Sequence, residues 1–184
     1  MIRTWNSGNC AANESATPPT ESDRRLALAW QALTSIEDPE IPGLNIVDLG
    51  LIRFVKPRAD GALIVGLSPT YIGCRATDAI RREVEHALRN ARVGDCVVTH
   101  VLSPAWTTDW ITTEGRRKLL ILGFSPPQHR PSSMQDILRG NRPVSCPRCY
   151  SVDTECTRQF GSTPCTALHR CRACYEPFEY FKCI

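Results

Sequence analysis

The first periodic pattern of apolar side chains begins just after residue 22. Its apolar positions are Leu26, Trp30, Leu33 and Ile36. Because steps of three and four residues place side chains on one face of a helix, the pattern predicts an amphipathic helix capped by Ser22 and Asp23. Two prolines and a glycine within residues 38–43 predict that an extended or turning loop follows the helix.

Three further segments have the aliphatic and β-branched character of strands. Residues 46–56 and 62–68 are separated by a stretch that contains Asp60 and Gly61. An Asp-Gly pair between two such segments predicts a β-hairpin. Residues 96–103 have the same composition and predict a third strand.

Two more helices are predicted between and after these strands. The stronger apolar face lies within residues 75–90 and consists of Ala76, Ala79, Ile80, Val84, Ala87 and Leu88. Residues 112–122 predict a last helix, which Gly123 ends. Because a strand, a helix and a strand in succession favour parallel pairing, the order αββαβα predicts an α+β domain with a small mixed sheet covered by helices.

The chain divides into four segments of different composition. Residues 1–22 carry a single Arg and no apolar core, so they predict a disordered polar tail rather than a secretory signal. The α+β domain takes up residues 23–124. Residues 125–145 are rich in Pro, Ser and Arg and predict a linker, after which residues 146–184 predict a small cysteine-rich module.

Composition and charge narrow the class of protein. The chain has 184 residues, of which 42% are hydrophobic and 22% are charged, as in ordinary globular proteins. No segment approaches the roughly 18 consecutive apolar residues of a membrane span. The net charge is +3, and basic side chains alternate with acidic ones, as in residues 81–85. We therefore expect a cytoplasmic protein with no membrane and no nucleic-acid partner.

The cysteines indicate a metal site. Seven of the ten lie between Cys146 and Cys183, and structural disulfides are rare in a reducing cytoplasm. Cys146 and Cys149 form one C-x-x-C pair, and Cys171 and Cys174 form another. This is the ligand pattern of a zinc ribbon, in which a structural zinc ion stabilises a module too small to bury a sufficient core.

A second possible ligand set overlaps the first. Cys165, Cys171, Cys174 and Cys183 form a C-x₅-C-x₂-C-x₈-C series, which is close to the spacing of plant-type iron–sulfur proteins. Sites made of four sulfurs accept either zinc or an iron–sulfur cluster. The spacing therefore leaves the metal open, keeps Cys165 and Cys183 as additional candidate ligands, and assigns no role to Cys156.

Cys74 is a candidate functional residue of the α+β domain. It precedes the most strongly patterned helix, where unpaired amides and the helix dipole favour a thiolate. Such a thiol serves as a nucleophile, a redox centre or a transient metal ligand, or it is simply a small buried residue. Asp38 and Glu40 flank Pro39 in a loop and are candidates for metal binding or for positioning a partner.

Several segments of the chain resemble a known family. They are Asp38-Pro39-Glu40, VDLGLI at 47–52, SPTYIGC at 68–74, SPAWTTDWITTEGRRKL at 103–119, and the C-terminal CPRC…QFGSTPCTALHRCRACYEPFEYFKC. The first four resemble the SufT-like domain that is associated with iron–sulfur assembly. Together with the C-terminal motif they resemble the PaaD family, the D components encoded with the phenylacetyl-CoA epoxidase of aerobic phenylacetate degradation. The match spans about residues 24–184.

The resemblance implies an accessory protein that matures the epoxidase and does not itself catalyse epoxidation. It assigns iron or cluster handling to Cys74 and to the acidic loop of Asp38 and Glu40, and the metal of the ribbon to the two C-x-x-C pairs. Arg75 stands where the family pattern has proline. The implied partners are the reductase or oxygenase subunits of the epoxidase and the iron–sulfur assembly machinery, and the sequence leaves homodimer formation open.

Two other functions stay open at this level. One is an electron-transfer component that carries a stable iron–sulfur cluster on the C-terminal cysteines. The other is a binding module in which both parts of the chain serve only as docking surfaces. A transient cluster on Cys74 and a structural zinc in the ribbon distinguish the maturation factor from both.

Overall fold

A computed structural model of the chain describes residues 20–127 and 144–182. Most of the predicted tail, most of the predicted linker, and Cys183 lie outside these residues. Within the described ranges, no helix has the length and apolar character needed to cross a membrane.

The first domain contains three α-helices and five short strands up to residue 121. The elements are α1 (Glu21–Thr34), β1 (Glu37–Asp38), β2 (Ile41–Asn45), β3 (Ile52–Pro57), β4 (Leu63–Leu67), α2 (Ala76–Asn90), β5 (Cys96–His100), a 3₁₀ turn (Thr108–Trp110) and α3 (Thr113–Ile121). Helix α1 begins two residues earlier than predicted, because Thr20 and Asp23 form a capping box in which each side chain accepts the other's backbone N–H.

The central sheet has the order β3-β4-β5. Strands β3 and β4 pair antiparallel and are connected by the Asp60-Gly61 turn. Strands β4 and β5 pair parallel, and α2 connects them along the chain. Helices α1 and α2 contact each other over the sheet. Fully buried side chains of α1, β4 and α2 include Leu33, Leu63, Val65, Val84 and Leu88. This mixed sheet with covering helices confirms the predicted α+β class.

The first predicted strand begins later than expected. Residues 46–50 form turns instead, because Asn45 accepts the backbone N–H of Asp48 through its side chain and that of Leu49 through its carbonyl. Gly50 completes the turn with φ +70°, where a Cβ would overlap the carbonyl of Trp110. The loop predicted at 38–43 contains the small β1-β2 hairpin.

The Asp48 side chain connects this turn to helix α3 through hydrogen bonds. Its carboxylate accepts hydrogen bonds from the Thr112 hydroxyl at 3.0 Å, the Asn45 amide at 2.9 Å and the Lys118 ammonium at 2.7 Å. Both members of the ion pair are largely buried, so removing one would leave the other without its partner.

The cysteine-rich module forms a second sheet, which a short strand of the preceding segment joins. Strands β7 (Thr154–Arg158), β8 (Thr166–Cys171) and β9 (Pro177–Phe181) form an antiparallel meander, and β6 (Phe124–Ser125) adds to its edge in parallel with β9. The predicted linker therefore starts with a residue of a strand, since Ser125 pairs with Tyr180 and is fully buried. The two parts of the chain are joined by backbone hydrogen bonds.

Candidate functional site

Four sulfur atoms of the C-terminal module lie together, as the two C-x-x-C pairs predict. The Sγ atoms of Cys146, Cys149, Cys171 and Cys174 all lie within 4.8 Å of one another. The Cys146–Cys174 and Cys149–Cys171 distances are 3.7 and 3.5 Å. A tetrahedral zinc with Zn–S bonds of about 2.3 Å places its sulfurs about 3.8 Å apart, so the arrangement fits one such ion.

Each pair sits in a tight backbone turn. In the first, Cys146 donates its N–H to the carbonyl of Ser151, and Tyr150 has φ 61°. In the second, Cys171 donates to the carbonyl of Glu176, and Tyr175 has φ 62°. These two matching turns direct both sulfurs of each pair toward a common centre.

The pKa values of Cys171 and Cys149 are shifted in opposite directions within this cluster. The Cys174 backbone N–H stabilises the Cys171 thiolate and contributes most to lowering its pKa to about 7. The Ser151 N–H acts in the same direction on Cys149, but hydrogen bonding to the neighbouring thiols and burial outweigh it and raise that pKa to about 12. A cation at the centre would allow all four sulfurs to bind as thiolates.

Cys156 and Cys165, the other cysteines of this module that the structure describes, do not join the four sulfurs. Cys165 is absent from the cluster and lies on the side of the module that faces the first domain. Cys156 is exposed on β7, where its thiol faces the carbonyl of Arg158. Cys183 lies outside the described residues. The overlapping iron–sulfur series predicted from spacing is therefore not assembled around Cys165, because the extended strand β8 separates Cys165 from Cys171.

A second group of candidate functional side chains surrounds a small cavity between the two parts of the chain. Cys74, Asp38 and Glu40 line it from the first domain, and Cys165 lines it from the C-terminal module. The structure thus brings together the three first-domain residues that the sequence singled out. It also adds a thiol that sequence reasoning placed in the ribbon.

Cys74 lies at the end of the loop that leads into α2. Its N–H donates to the carbonyl of Tyr71, and its own carbonyl accepts the N–H of Thr77. Arg75 is the N-cap residue of α2 and makes no side-chain capping bond. The thiol is half-buried and therefore accessible from the cavity and its mouth.

Asp38 and Glu40 approach the cavity from the β1-β2 turn. The Oδ1 atom of Asp38 accepts the N–H groups of Glu40 at 2.8 Å and Ile41 at 3.1 Å, which fixes the carboxylate. Burial nevertheless raises the pKa of Asp38. Burial, followed by the charge of Asp38, raises the pKa of Glu40. Two carboxylates held close together in this way favour the approach of a cation.

Cys165 precedes β8 and is 5% exposed. Its Sγ lies 3.5 Å from the Oγ1 of Thr70, which belongs to the same loop as Cys74. Burial raises the pKa of Cys165, the hydrogen bond with Thr70 opposes that effect, and the charges of Cys74 and the two carboxylates raise it further. Burial and the charges of both thiols and of Glu40 also raise the pKa of the nearby Tyr71 hydroxyl.

Apolar side chains form the floor of the cavity and seal the contact between the two parts. The floor is lined by Ile41, Leu49, Leu51, Leu67, Ile80 and Phe181. Phe181 of β9 is 1% exposed and packs against Trp106 with ring centroids 6.2 Å apart. Trp106 is itself fixed by donating its indole N–H to the carbonyl of Leu49 at 3.0 Å.

Two family models match the chain, one on each part. The model described as iron-sulfur cluster assembly protein matches residues 27–101, and the model described as PaaD zinc beta ribbon domain matches residues 130–182. An Escherichia coli protein, provisionally named as the D component of 1,2-phenylacetyl-CoA epoxidase, is 43% identical over 161 residues, which cover 84% of this chain and 91% of that protein. The chain belongs to the PaaD family.

A narrower similarity covers only the first part of this PaaD-family chain. The Staphylococcus aureus Fe-S protein maturation auxiliary factor SufT is 34% identical over 89 residues, covering 48% of this chain and 97% of that protein. The match to a crystal structure of a DUF59 domain from Bacillus anthracis covers 53% of this chain and 93% of that domain's chain, with 24% sequence identity and a TM-score of 0.49. The PaaD resemblance expected from the sequence is confirmed.

The two matched models divide the cavity between them. Asp38, Glu40 and Cys74 fall within the assembly-protein match, whereas Cys165 falls within the zinc-ribbon match. Sequence spacing could not have indicated this, since Thr70 and Cys165 are 95 positions apart.

Proposed function

We propose that this PaaD-family chain is a non-catalytic maturation factor that supplies iron, alone or as an iron–sulfur cluster, to the phenylacetyl-CoA epoxidase. The observation that carries the proposal is the convergence of Cys74, Asp38 and Glu40 on one small cavity. The names of the E. coli and S. aureus relatives, an epoxidase component and a maturation factor, support it.

The chemistry of the three side chains suits transient iron binding. A thiolate is a soft ligand and a carboxylate a hard one, and iron accepts both. Cys74 is only half-buried, so a ligand of the client protein can approach the same ion. Delivery is then a ligand exchange in which the client's thiolate or carboxylate replaces Cys74, with no change in oxidation state.

The four-cysteine ribbon serves a structural role in this proposal. A zinc ion bound by its sulfurs would hold the two turns together and thereby position β8 and β9 against the first domain. The ribbon also provides a surface for recognising the reductase or oxygenase subunit of the epoxidase. The electron-transfer alternative requires a stable cluster on these cysteines, whereas sulfurs that all lie within 4.8 Å of one another match a single ion.

The proposal is tested by the iron content of the client. The epoxidase subunits are isolated anaerobically from cells that produce the wild-type chain, Cys74→Ser or the matched control Cys96→Ser, and iron and acid-labile sulfide are measured per subunit. Cys96 is a half-buried thiol of the same domain that lies outside the cavity lining. We expect Cys74→Ser alone to leave a subunit depleted of iron, and fully loaded epoxidase from those cells would contradict the proposal.

A further inference from the structure

Cys165 belongs to the ribbon by sequence but not by position. It precedes β8 within the zinc-ribbon match, yet the four sulfurs of the ribbon assemble without it. It is instead grouped with the buried residues of the first domain's core, together with Phe181.

The chain holds Cys165 against the loop that carries Cys74. The Cys165 carbonyl accepts the N–H of Lys182 at 2.9 Å, which ties it to the end of β9. Its Sγ contacts the Thr70 hydroxyl at 3.5 Å, four residues before Cys74. Because β9 is in turn paired with β6 of the preceding segment, the thiol has a fixed position relative to the first domain.

One buried polar side chain of the cavity between the two thiols has no hydrogen-bond partner within the described residues. Ser68 is one of its lining residues, its side chain is 1% exposed, and its Oγ makes no hydrogen bond within the described residues. Such a buried hydroxyl usually has a partner, and its absence indicates a position for a bound group. The cavity volume is about 20 Å³, enough for one water-sized group or ion.

We infer that Cys165 is a second thiolate ligand of the iron cargo, so that the cargo site is built jointly by the α+β domain and the ribbon. This inference rests on the proposed function and specifies the ligand set of that same site. Cys74 and Cys165 supply two sulfurs, and Asp38 and Glu40 supply oxygens. The small cavity favours a single ion in this state, and docking of the ribbon completes the site.

Cobalt(II) is a suitable probe because it binds thiolates and reports their number. The full chain is first loaded with one zinc per chain, which the four-sulfur cluster retains because zinc binds such ligands more tightly than cobalt does. One equivalent of cobalt(II) is then added anaerobically. The number of sulfur ligands per cobalt is measured by cobalt K-edge absorption and by the intensity of the thiolate-to-cobalt charge-transfer band, while elemental analysis checks that one zinc remains.

The variants are Cys165→Ser, Cys74→Ser and the control Cys156→Ser, which removes an exposed thiol of the same module. We expect two sulfurs per cobalt in the wild-type chain and in Cys156→Ser, and one in Cys165→Ser, with at least tenfold weaker binding. Two sulfurs that persist in Cys165→Ser would overturn the inference. Should Cys165→Ser fail to fold, the wild-type sulfur count decides alone, since a single sulfur there also overturns it.

The same experiment separates the inference from the proposed function. If the wild-type chain binds cobalt through one sulfur that Cys74→Ser removes, the inference fails and the proposed role of Cys74 stands. If Cys74→Ser binds cobalt as the wild-type chain does, or if the zinc-loaded wild-type chain binds none, the proposed function fails and the inference fails with it.

Discussion

The contact between the ribbon and the first domain depends on Phe181, and the substitution Phe181→Ala tests it. The ring is 1% exposed, lines the floor of the cavity and packs against Trp106. Its centroid distance of 6.2 Å from Trp106 falls within the range in which aromatic pairs attract each other. Removing the ring would therefore leave a void at the junction of the two parts.

The expected magnitude follows from the burial of this side chain. Truncating a fully buried Phe to Ala costs about 3–5 kcal/mol, which includes the lost transfer free energy and the cavity left behind. Since every 1.4 kcal/mol is a tenfold change in an equilibrium constant, a loss of about 3 kcal/mol in docking raises the undocked population by about 100-fold. Cys165 becomes accessible to solvent in that state.

Two measurements check this prediction on the zinc-loaded full chain. Urea unfolding gives the change in the free energy of unfolding, and the rate of Cys165 alkylation, followed by mass spectrometry of its peptide, reports the undocked population. The matched control is Phe160→Ala, because Phe160 belongs to the same module but is 67% exposed. We expect Phe160→Ala to change the free energy of unfolding by no more than about 0.5 kcal/mol and to leave the alkylation rate of Cys165 unchanged.

The outcome that would refute this reasoning is equally specific. If Phe181→Ala were no more destabilising than Phe160→Ala, and Cys165 reacted at the wild-type rate, the ribbon would not be held against the first domain through this ring. The cavity would then not require the docked arrangement.

Three further predictions concern the acidic loop, the ribbon metal and the α3 contact. Burial raises the pKa of Asp38 in the folded chain, so the ionised carboxylate lowers stability as the pH rises above the pKa of this group in the unfolded chain. Asp38→Asn should therefore be more stable than wild type in thermal unfolding at pH 7. This advantage should shrink toward about pH 4, where the carboxyl group becomes protonated. An equal difference at both pH values would contradict this. Elemental analysis should find about one zinc per chain less in the Cys146→Ser/Cys149→Ser variant than in the wild-type chain. If the variant instead loses iron together with acid-labile sulfide, the ribbon carries an iron–sulfur cluster and the prediction is wrong. Asp48→Ala should cost about 1–3 kcal/mol in urea unfolding, because Asn45, Thr112 and Lys118 lose their shared acceptor. A cost below about 0.5 kcal/mol would contradict the role of Asp48 in joining the turn to α3.

Local pattern and chain connectivity were enough to predict much of the first domain. The parallel pairing of β4 with β5 follows from the strand-helix-strand order, and the helical face of α2 follows from its periodicity. The start of β3 was misjudged because the aliphatic residues 46–51 have strand composition, whereas the Asn45 side chain and Gly50 impose turns. Composition does not reveal such local hydrogen bonds.

The candidate site was predicted in part, and the missing part has a physical cause. The C-x-x-C spacing is a local property and correctly grouped the four ribbon cysteines. The position of Cys165 depends on docking of the ribbon through β6, β9 and Phe181. That docking is a contact between distant segments, and the spacing of cysteines along the chain carries no information about it.

Transfer of iron from Cys74 to the epoxidase is the central claim, and a transfer assay with purified proteins tests it most directly. The wild-type chain, Cys74→Ser and Cys96→Ser are each loaded anaerobically with iron and mixed with the iron-free reductase or oxygenase subunit in the presence of a chelator that removes free iron. The account predicts that the client acquires iron from the wild-type chain and from Cys96→Ser, but not from Cys74→Ser. Equal iron acquisition with Cys74→Ser, or none from the wild-type chain to either subunit, would contradict it.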